Sequence, residues 1–325
     1  METYDKMTLD STGAFYIGEL ERLDQTLHEP LVAVTWGRDI DLREDVSMAD
    51  EASSFTNSTF AAAGSIQSSG KNLVGKATNA IPGVGVDIGK TASPLYLWAM
   101  ELGYTIPELL SAQQMGRPID EQKYAGMQLK WQMDIDEMVY IGDTTLGKYG
   151  LVNSTAVTTG FVALNAGSTS RLWTKKTADE ILNDVNALIT ACWQAAGFAV
   201  CPNKLLLPPA QFAYITSQKV STAGNISILS FLEDNCISLK INGKKLDIQP
   251  LKWLTGRGVA AGSPSAATDR MVVYTQDKNR VRFQMVPLQR TPLEYRSIYH
   301  LTTYFGKLGV VEMVYPETVM YADGI

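Results

Sequence analysis

Residues 117–153 read RPIDEQKYAGMQLKWQMDIDEMVYIGDTTLGKYGLVN, and their apolar spacing predicts one long helix, a glycine-punctuated turn and the entry to a strand. Pro118 suits the first helical position, where its missing N–H would have no partner and its φ is already near helical. Asp120 and Glu121 fall in the first turn, at the positive end of the helix dipole. Tyr124, Met127, Gln128, Trp131, Ile135 and Met138 recur at three- and four-residue steps and mark one face. Ala125, Leu129, Met133 and Tyr140 form a second apolar line, so the helix is expected to be covered on two sides. Roughly 24 residues at ~1.5 Å each give about 36 Å, long enough to be the spine of the fold. Gly142 is expected to end it, with Gly147 and Gly150 marking the turn before Leu151 and Val152.

Upstream of the spine, Ile106–Met115 reads as a short helix with Pro107 at its start. Residues 31–46 read as a strand, because Val32, Val34 and Trp36, then Ile40 and Leu42, alternate with other residues, with Gly37 as a bend. Residues 48–75 are rich in Ser, Thr, Ala, Asn and Gly, with isolated anchors at Phe55, Phe60 and Ile66. That is too long for an ordinary connection inside a domain. Residues 81–104 return as extended chain, with Pro82 and Pro94 as breakers. Two strands flanking a small-residue loop predict an extended hairpin over residues 31–104 with no core of its own. Residues 1–30 read as an arm with an amphipathic piece at 17–27.

Downstream, residues 151–175 are Thr- and Gly-rich strand and loop. Thr177 with Glu180 forms a capping box before Ile181, Val185, Leu188, Ile189 and Cys192, and Gly197 closes that helix. Phe198–Leu207 reads as a buried strand, Pro208-Pro209 as the start of a short helix, and Ile228–Asn235 as another. Asn242-Gly243 between 237–241 and 245–250 predicts a β-hairpin. The expected result is an α/β unit over residues 177–268, inserted between the spine region at 105–176 and returning strands at 269–325. The fold class is α+β.

The chain has 325 residues, 45% hydrophobic and 19% charged, ordinary for a folded protein with a sizeable core. A net charge of -6 argues against a protein that grips nucleic acid through a basic surface. There is no run of about 18 apolar residues to cross a membrane and no signal-peptide pattern at the start. Three widely spaced cysteines, Cys192, Cys201 and Cys236, suggest a reducing compartment and no disulfide framework.

Residues 83–91, GVGVDIGKT, approach a phosphate-binding loop but fail on spacing. A Walker pattern needs Gly where Val84 stands, and a dinucleotide pattern needs Gly where Ile88 stands. A turn-rich strand is the better reading, with a nucleotide-binding enzyme as the alternative from another class. His28 and His300 are the only histidines and have no metal-site spacing, so neither metal nor cofactor is expected. Asp134, Asp136 and Glu137 near the end of the spine could bind a cation, but solvation or an ion pair between subunits suits them better. Trp36 and Arg38 could stack on a base, yet Asp39, Asp41, Glu44 and Asp45 surround them. No catalytic constellation emerges.

The order of parts is arm, hairpin, spine helix, glycine turn, α/β insert and returning strands. It resembles the major capsid proteins of tailed bacteriophages, the Hong Kong 97 (HK-97) type fold shared by encapsulins. The stretches WGRDIDLREDVSMADEASSFTNSTF (36–60), GRPIDEQK (116–123) and MVYIGDTTLGKYGLVN (138–153) are similar to one subgroup of these. The resemblance implies a non-enzymatic shell subunit that forms pentamers and hexamers of an icosahedral virion around double-stranded DNA, assembled in the host cytoplasm. Residues 31–104 would hold the loop that reaches a neighbour, with Trp36, Arg38, Asp39, Arg43, Phe55 and Phe60 as its interface residues. Residues 105–176 and 269–325 would form the peripheral domain, and residues 177–268 the axial domain. Portal, scaffolding or decoration proteins would be partners, any scaffolding function coming from another chain. An encapsulin-like compartment is the alternative within the same fold.

Overall fold

The structure is a computed structural model that describes residues 32–62, 84–115, 119–220, 226–261 and 263–325. The expected arm, the centre of the 48–75 loop and Pro118 lie outside those residues. In chain order, α1 (Trp36–Asp39) and β1 (Asp41–Arg43) precede a two-stranded ribbon of β2 (Ala52–Ala62) and β3 (Val84–Pro94). β4 (Tyr96–Thr105), α2 (Ile106–Met115) and the spine helix α3 (Ile119–Tyr140) follow. Next come β5 (Thr158–Phe161), α4 (Ala178–Ala195), β6 (Lys204–Leu207), α5 (Pro209–Ser217), α6 (Ile228–Asn235), α7 (Ile237–Asn242) and β7 (Asp247–Pro250). The remainder is β8 (Gly258–Ala260), β9 (Ser263–Thr268), β10 (Arg270–Tyr274), β11 (Val281–Arg290), β12 (Glu294–Arg296), β13 (Tyr299–Leu308), β14 (Glu312–Met313) and β15 (Val319–Asp323).

Two sheets build the body, and the second is the wall between two cores. In the first, β4 pairs with β13, β13 with β11, and β11 with the parallel β1, while β12 and β14 extend its ends. The second runs β5-β15-β10-β6-β7, antiparallel in the middle and parallel at both edges. Every residue of β6 and β10 is buried, as expected of strands covered on both faces. Leu205, Leu207, Met271, Val273 and Ala322 face one core, with Ile181, Val185, Ile189 and Cys192 of α4. Leu206, Val272, Tyr274, Val319 and Tyr321 face the other, with Trp131, Ile135 and Val139 of α3. The second sheet draws strands from both sides of the expected boundaries at 177 and 268. The central strands β10 and β15 come from the returning segment, and a cut at those positions would run through one sheet.

The spine forms as its spacing predicts. Of the expected face, Met127, Trp131 and Ile135 are buried and Met138 half-buried, with Val139 buried beside them, while Tyr124 and Gln128 are exposed; Trp131 meets Trp98 of β4 edge-on at 4.9 Å between ring centroids. The second line is only partly covered, with Met133 exposed at 38%. Gly142 (φ +75°) ends the helix. A Cβ on Gly150 would lie 2.4 Å from the Tyr140 backbone, so the turn folds back against the helix end. Thr177 and Glu180 make the reciprocal capping box on α4.

Three local expectations are corrected. Residues 36–39 are a helical turn, because the Asp136 side chain accepts the Thr35 and Trp36 N–H groups from about a hundred residues away in sequence. Residues 237–242 form α7, and Gly243 (φ +69°) is its left-handed C-terminal cap, the same conformation a hairpin turn would have required. The strand expected over 198–207 shrinks to Lys204–Leu207, with Phe198 exposed at φ +61°.

Candidate assembly surfaces

The expected hairpin is narrower than residues 31–104. Its strands are β2 and β3, paired without interruption from Ala52 with Pro94 to Ala62 with Val84. α1 and β1 dock on the body instead, and β4 belongs to the first sheet. Residues 56–58 and 85–92 of the ribbon are exposed, among them Val86 at 55% and Ile88 at 68%. Val84–Thr91, most of the glycine-rich stretch, is an extended strand of this ladder, and β4 rather than a helix follows. The phosphate-loop alternative is therefore overturned.

The ribbon is pinned at its root. Glu312 is buried and accepts from Arg282 Nε (2.7 Å), Ser53 Oγ (3.0 Å) and Arg43 Nη1 (3.5 Å). Arg43 also donates to Ser53 Oγ, to the Ser54 carbonyl and to Asp45, whose carboxyl it holds below the usual range. Lys307 Nζ donates to the Asp50 carbonyl (2.7 Å), and the Leu95 N–H to the Glu51 carbonyl (3.0 Å). The exposed shaft thus rises from a fixed base.

The structure separates the six residues expected at an interface. Asp39 is fully buried within its own chain. Its carboxylate accepts from the Arg38 guanidinium and the Tyr140 hydroxyl and pairs with Lys204 Nζ at 3.1 Å. Burial and this carboxylate push the Tyr140 hydroxyl far above its usual pKa, so it stays a neutral donor. Lys204 Nζ also donates to the Arg38 carbonyl and to Gln276, and the Tyr274 hydroxyl donates to the Asp39 carbonyl. Buried charges survive when paired and fully hydrogen-bonded, as here. Arg38 is half-buried and donates to Gln249 and to the Pro250 carbonyl. Trp36 Nε1 donates to Gln132 at 2.9 Å. Arg43 sits at the ribbon root, while Phe55, half-buried, and Phe60 belong to β2.

A second surface was not anticipated from sequence. The Ile106 N–H donates to the Ile298 carbonyl, which joins the start of α2 to the turn between β12 and β13. Exposed there are Ile106 (41%), Ile298 (52%), Tyr299 (46%) and Tyr295 (71%). Their scattered positions gave no periodic signal. Exposed apolar side chains gathered at one place make a candidate contact surface.

Among the described residues no group of His, Cys, Asp or Glu could hold a metal ion, and no helix is long and apolar enough to cross a membrane. The three cysteines are free and buried, and burial pushes the Cys192 thiol up to about 12. Asp134 accepts from Trp98 and Lys130, and Asp136 from Trp253, so neither is set up as a cation ligand.

A family model described as major capsid protein matches residues 70–325. This chain belongs to that family. The capsid protein has the HK-97 type α+β fold, and its role is to form the protein shell of a virion. The capsid of Myoviridae phage XM1 is similar at TM-score 0.74 and 16% identity, covering 96% of this chain and 99% of that one. The capsid of a native GTA particle follows at 0.58 and 10%, covering 93% and 94%. The capsid of cyanophage P-SCSP1u stands at 0.53 and 13%, covering 97% and 96%. No curated protein sequence matches the chain.

Proposed function

We propose that this capsid protein assembles into pentamers and hexamers that close into an icosahedral shell around double-stranded DNA, each copy laying its β2–β3 ribbon on a neighbour. The observation that carries this reading is the ribbon itself. It has a fixed root, an exposed shaft and no core of its own, so only another surface can cover Val86 and Ile88. Phe55 and Phe60 lie on the strand that would meet the neighbour, while Trp36, Arg38 and Arg43 act from behind by holding the segment that leads into it. The first sheet with the spine corresponds to a peripheral part and the second sheet with α4–α7 to an axial part. A net charge of -6 suits a wall that confines DNA without gripping it. Portal and scaffolding or decoration proteins complete the particle, which assembles in the host cytoplasm.

The test is sedimentation and electron microscopy of the purified chain, which should form capsomers or closed shells. Ile88→Asp should lower shell yield while leaving circular dichroism unchanged. A stable monomer that stays inert across salt and concentration would overturn the reading.

A further inference from the structure

β4 is an outer strand of the first sheet, and its pairing leaves one edge open. Thr105 lies opposite Tyr299, and the Ile106 N–H donates to the Ile298 carbonyl at 3.0 Å. Antiparallel pairs alternate, so the even-numbered residues of β4 bond to β13 and the odd-numbered ones aim N–H and C=O away from it. Two contacts agree with that direction. Lys123 Nζ donates to the Gly103 carbonyl at 3.0 Å, and the Thr105 N–H donates to the Glu108 carboxylate at 3.4 Å. Lys123 and Glu108 also pair at 2.8 Å, so this end of the edge is covered. The other end is open. The outward backbone groups of Leu97, Ala99 and Glu101 have no hydrogen-bond partner among the described residues, and the side chains of all three are exposed. An open edge of this kind is a template for another strand.

The chain's own ribbon does not fill it. Ala52 pairs with Pro94, only Leu95 separates β3 from β4, and β2 stays beside β3 from that root to its far end. Beyond Ser54, whose outward carbonyl accepts from Arg43, β2 nevertheless has an open outer edge among the described residues, since the ribbon holds only two strands. It is also the better of the two edges. Ala52–Ala62 contains no charge, glycine or proline, whereas β3 carries Asp87, Lys90, Gly85, Gly89 and Pro94. We infer that in the shell β2 of a second copy adds to the β4 edge and completes the ladder at Leu97, Ala99 and Glu101. The inference rests on the proposed reach of the ribbon onto a neighbour, and it names the surface that receives it.

Hydrogen–deuterium exchange read at single amides, in free subunits and in closed shells, tests it. The amides of Leu97, Ala99 and Glu101 should exchange fast in the free subunit and slow by about tenfold or more in shells, while Trp98 and Met100 are protected in both. Residues 52–62 should gain protection with them. Unchanged exchange at the three amides in well-formed shells overturns the inference and leaves the shell reading standing. Protection gained by β3 and not by β2 overturns the choice of strand. A chain that forms no shell under any condition removes the underlying reading instead. Ala99→Pro is the second arm. The Ala99 N–H points outward, so proline is compatible with the β13 ladder but blocks an added strand. The variant should keep its near-UV circular dichroism and lose shells, and normal assembly would overturn the inference. Were it to misfold, the exchange measurement on the unaltered chain decides.

Discussion

Replacing Asp136 tests how the segment ahead of the ribbon is held. Its carboxylate is 1% exposed. Oδ1 accepts the Thr35 N–H at 2.9 Å and the Trp36 N–H at 3.2 Å, and Oδ2 accepts Trp253 Nε1 at 2.8 Å with Lys252 Nζ at 3.4 Å. In Asp136→Asn the amide oxygen can keep both backbone donors, but an NH2 group then meets the Trp253 N–H. One charge-assisted hydrogen bond is lost, so a destabilisation of about 2–3 kcal/mol is expected. Asp136→Ala strands all three N–H donors at about 1–3 kcal/mol each, and partial access of water brings the expected loss to roughly 3–5 kcal/mol. Guanidinium unfolding of the subunit, followed by circular dichroism and tryptophan fluorescence, measures both. An Asn variant within about 0.5 kcal/mol of the parent, or an inverted ranking, would show that packing and the Trp36–Gln132 bond hold α1 without the carboxylate.

Gln284 is fully buried and neither atom of its amide has a partner among the described residues, so Gln284→Leu should stabilise the subunit by about 1–3 kcal/mol; a lower Tm would show that the amide is satisfied in solution. Gly150→Ala places a methyl 2.4 Å from the Tyr140 backbone and should cost more than about 3 kcal/mol or abolish soluble expression, and a variant with native stability would contradict the close approach. The thiols of Cys192, Cys201 and Cys236 are buried and pushed above their usual pKa, so none should react with a thiol reagent at pH 8 until the chain unfolds, when all three should titrate.

The parts legible in the sequence are those decided locally. Met127, Trp131 and Ile135 repeat at helical steps and are buried together, and Thr177 with Glu180 closes a hydrogen-bonded box within four residues. What was misread depends on distant partners. Trp36–Asp39 alternates like a strand but is wound into a turn by Asp136, and Asp39 looks like a surface charge until Lys204 and Tyr140 arrive beside it. β2 reads as a loop because Ser, Thr and Ala dominate it, yet its ladder with β3 is made by backbone and needs no large side chains. Asn242-Gly243 was ambiguous for a conformational reason, since a left-handed glycine serves a hairpin turn and a helix cap equally well. The apolar end at Ile106, Tyr295 and Ile298 joins segments nearly two hundred residues apart, beyond any window of local spacing.

The strand β10 gives Met271 and Val273 to one core and Val272 and Tyr274 to the other. A wall shared in this way leaves no seam along which two halves of the subunit could swing. Opening one would strip both cores at once, so the body should melt in a single cooperative step. Copies in differently curved surroundings would then differ through the ribbon and its root, where the Glu312 cluster meets an exposed two-stranded lever. Loss of one residue within β10 would turn every following side chain to the wrong face and exchange the contents of the two cores.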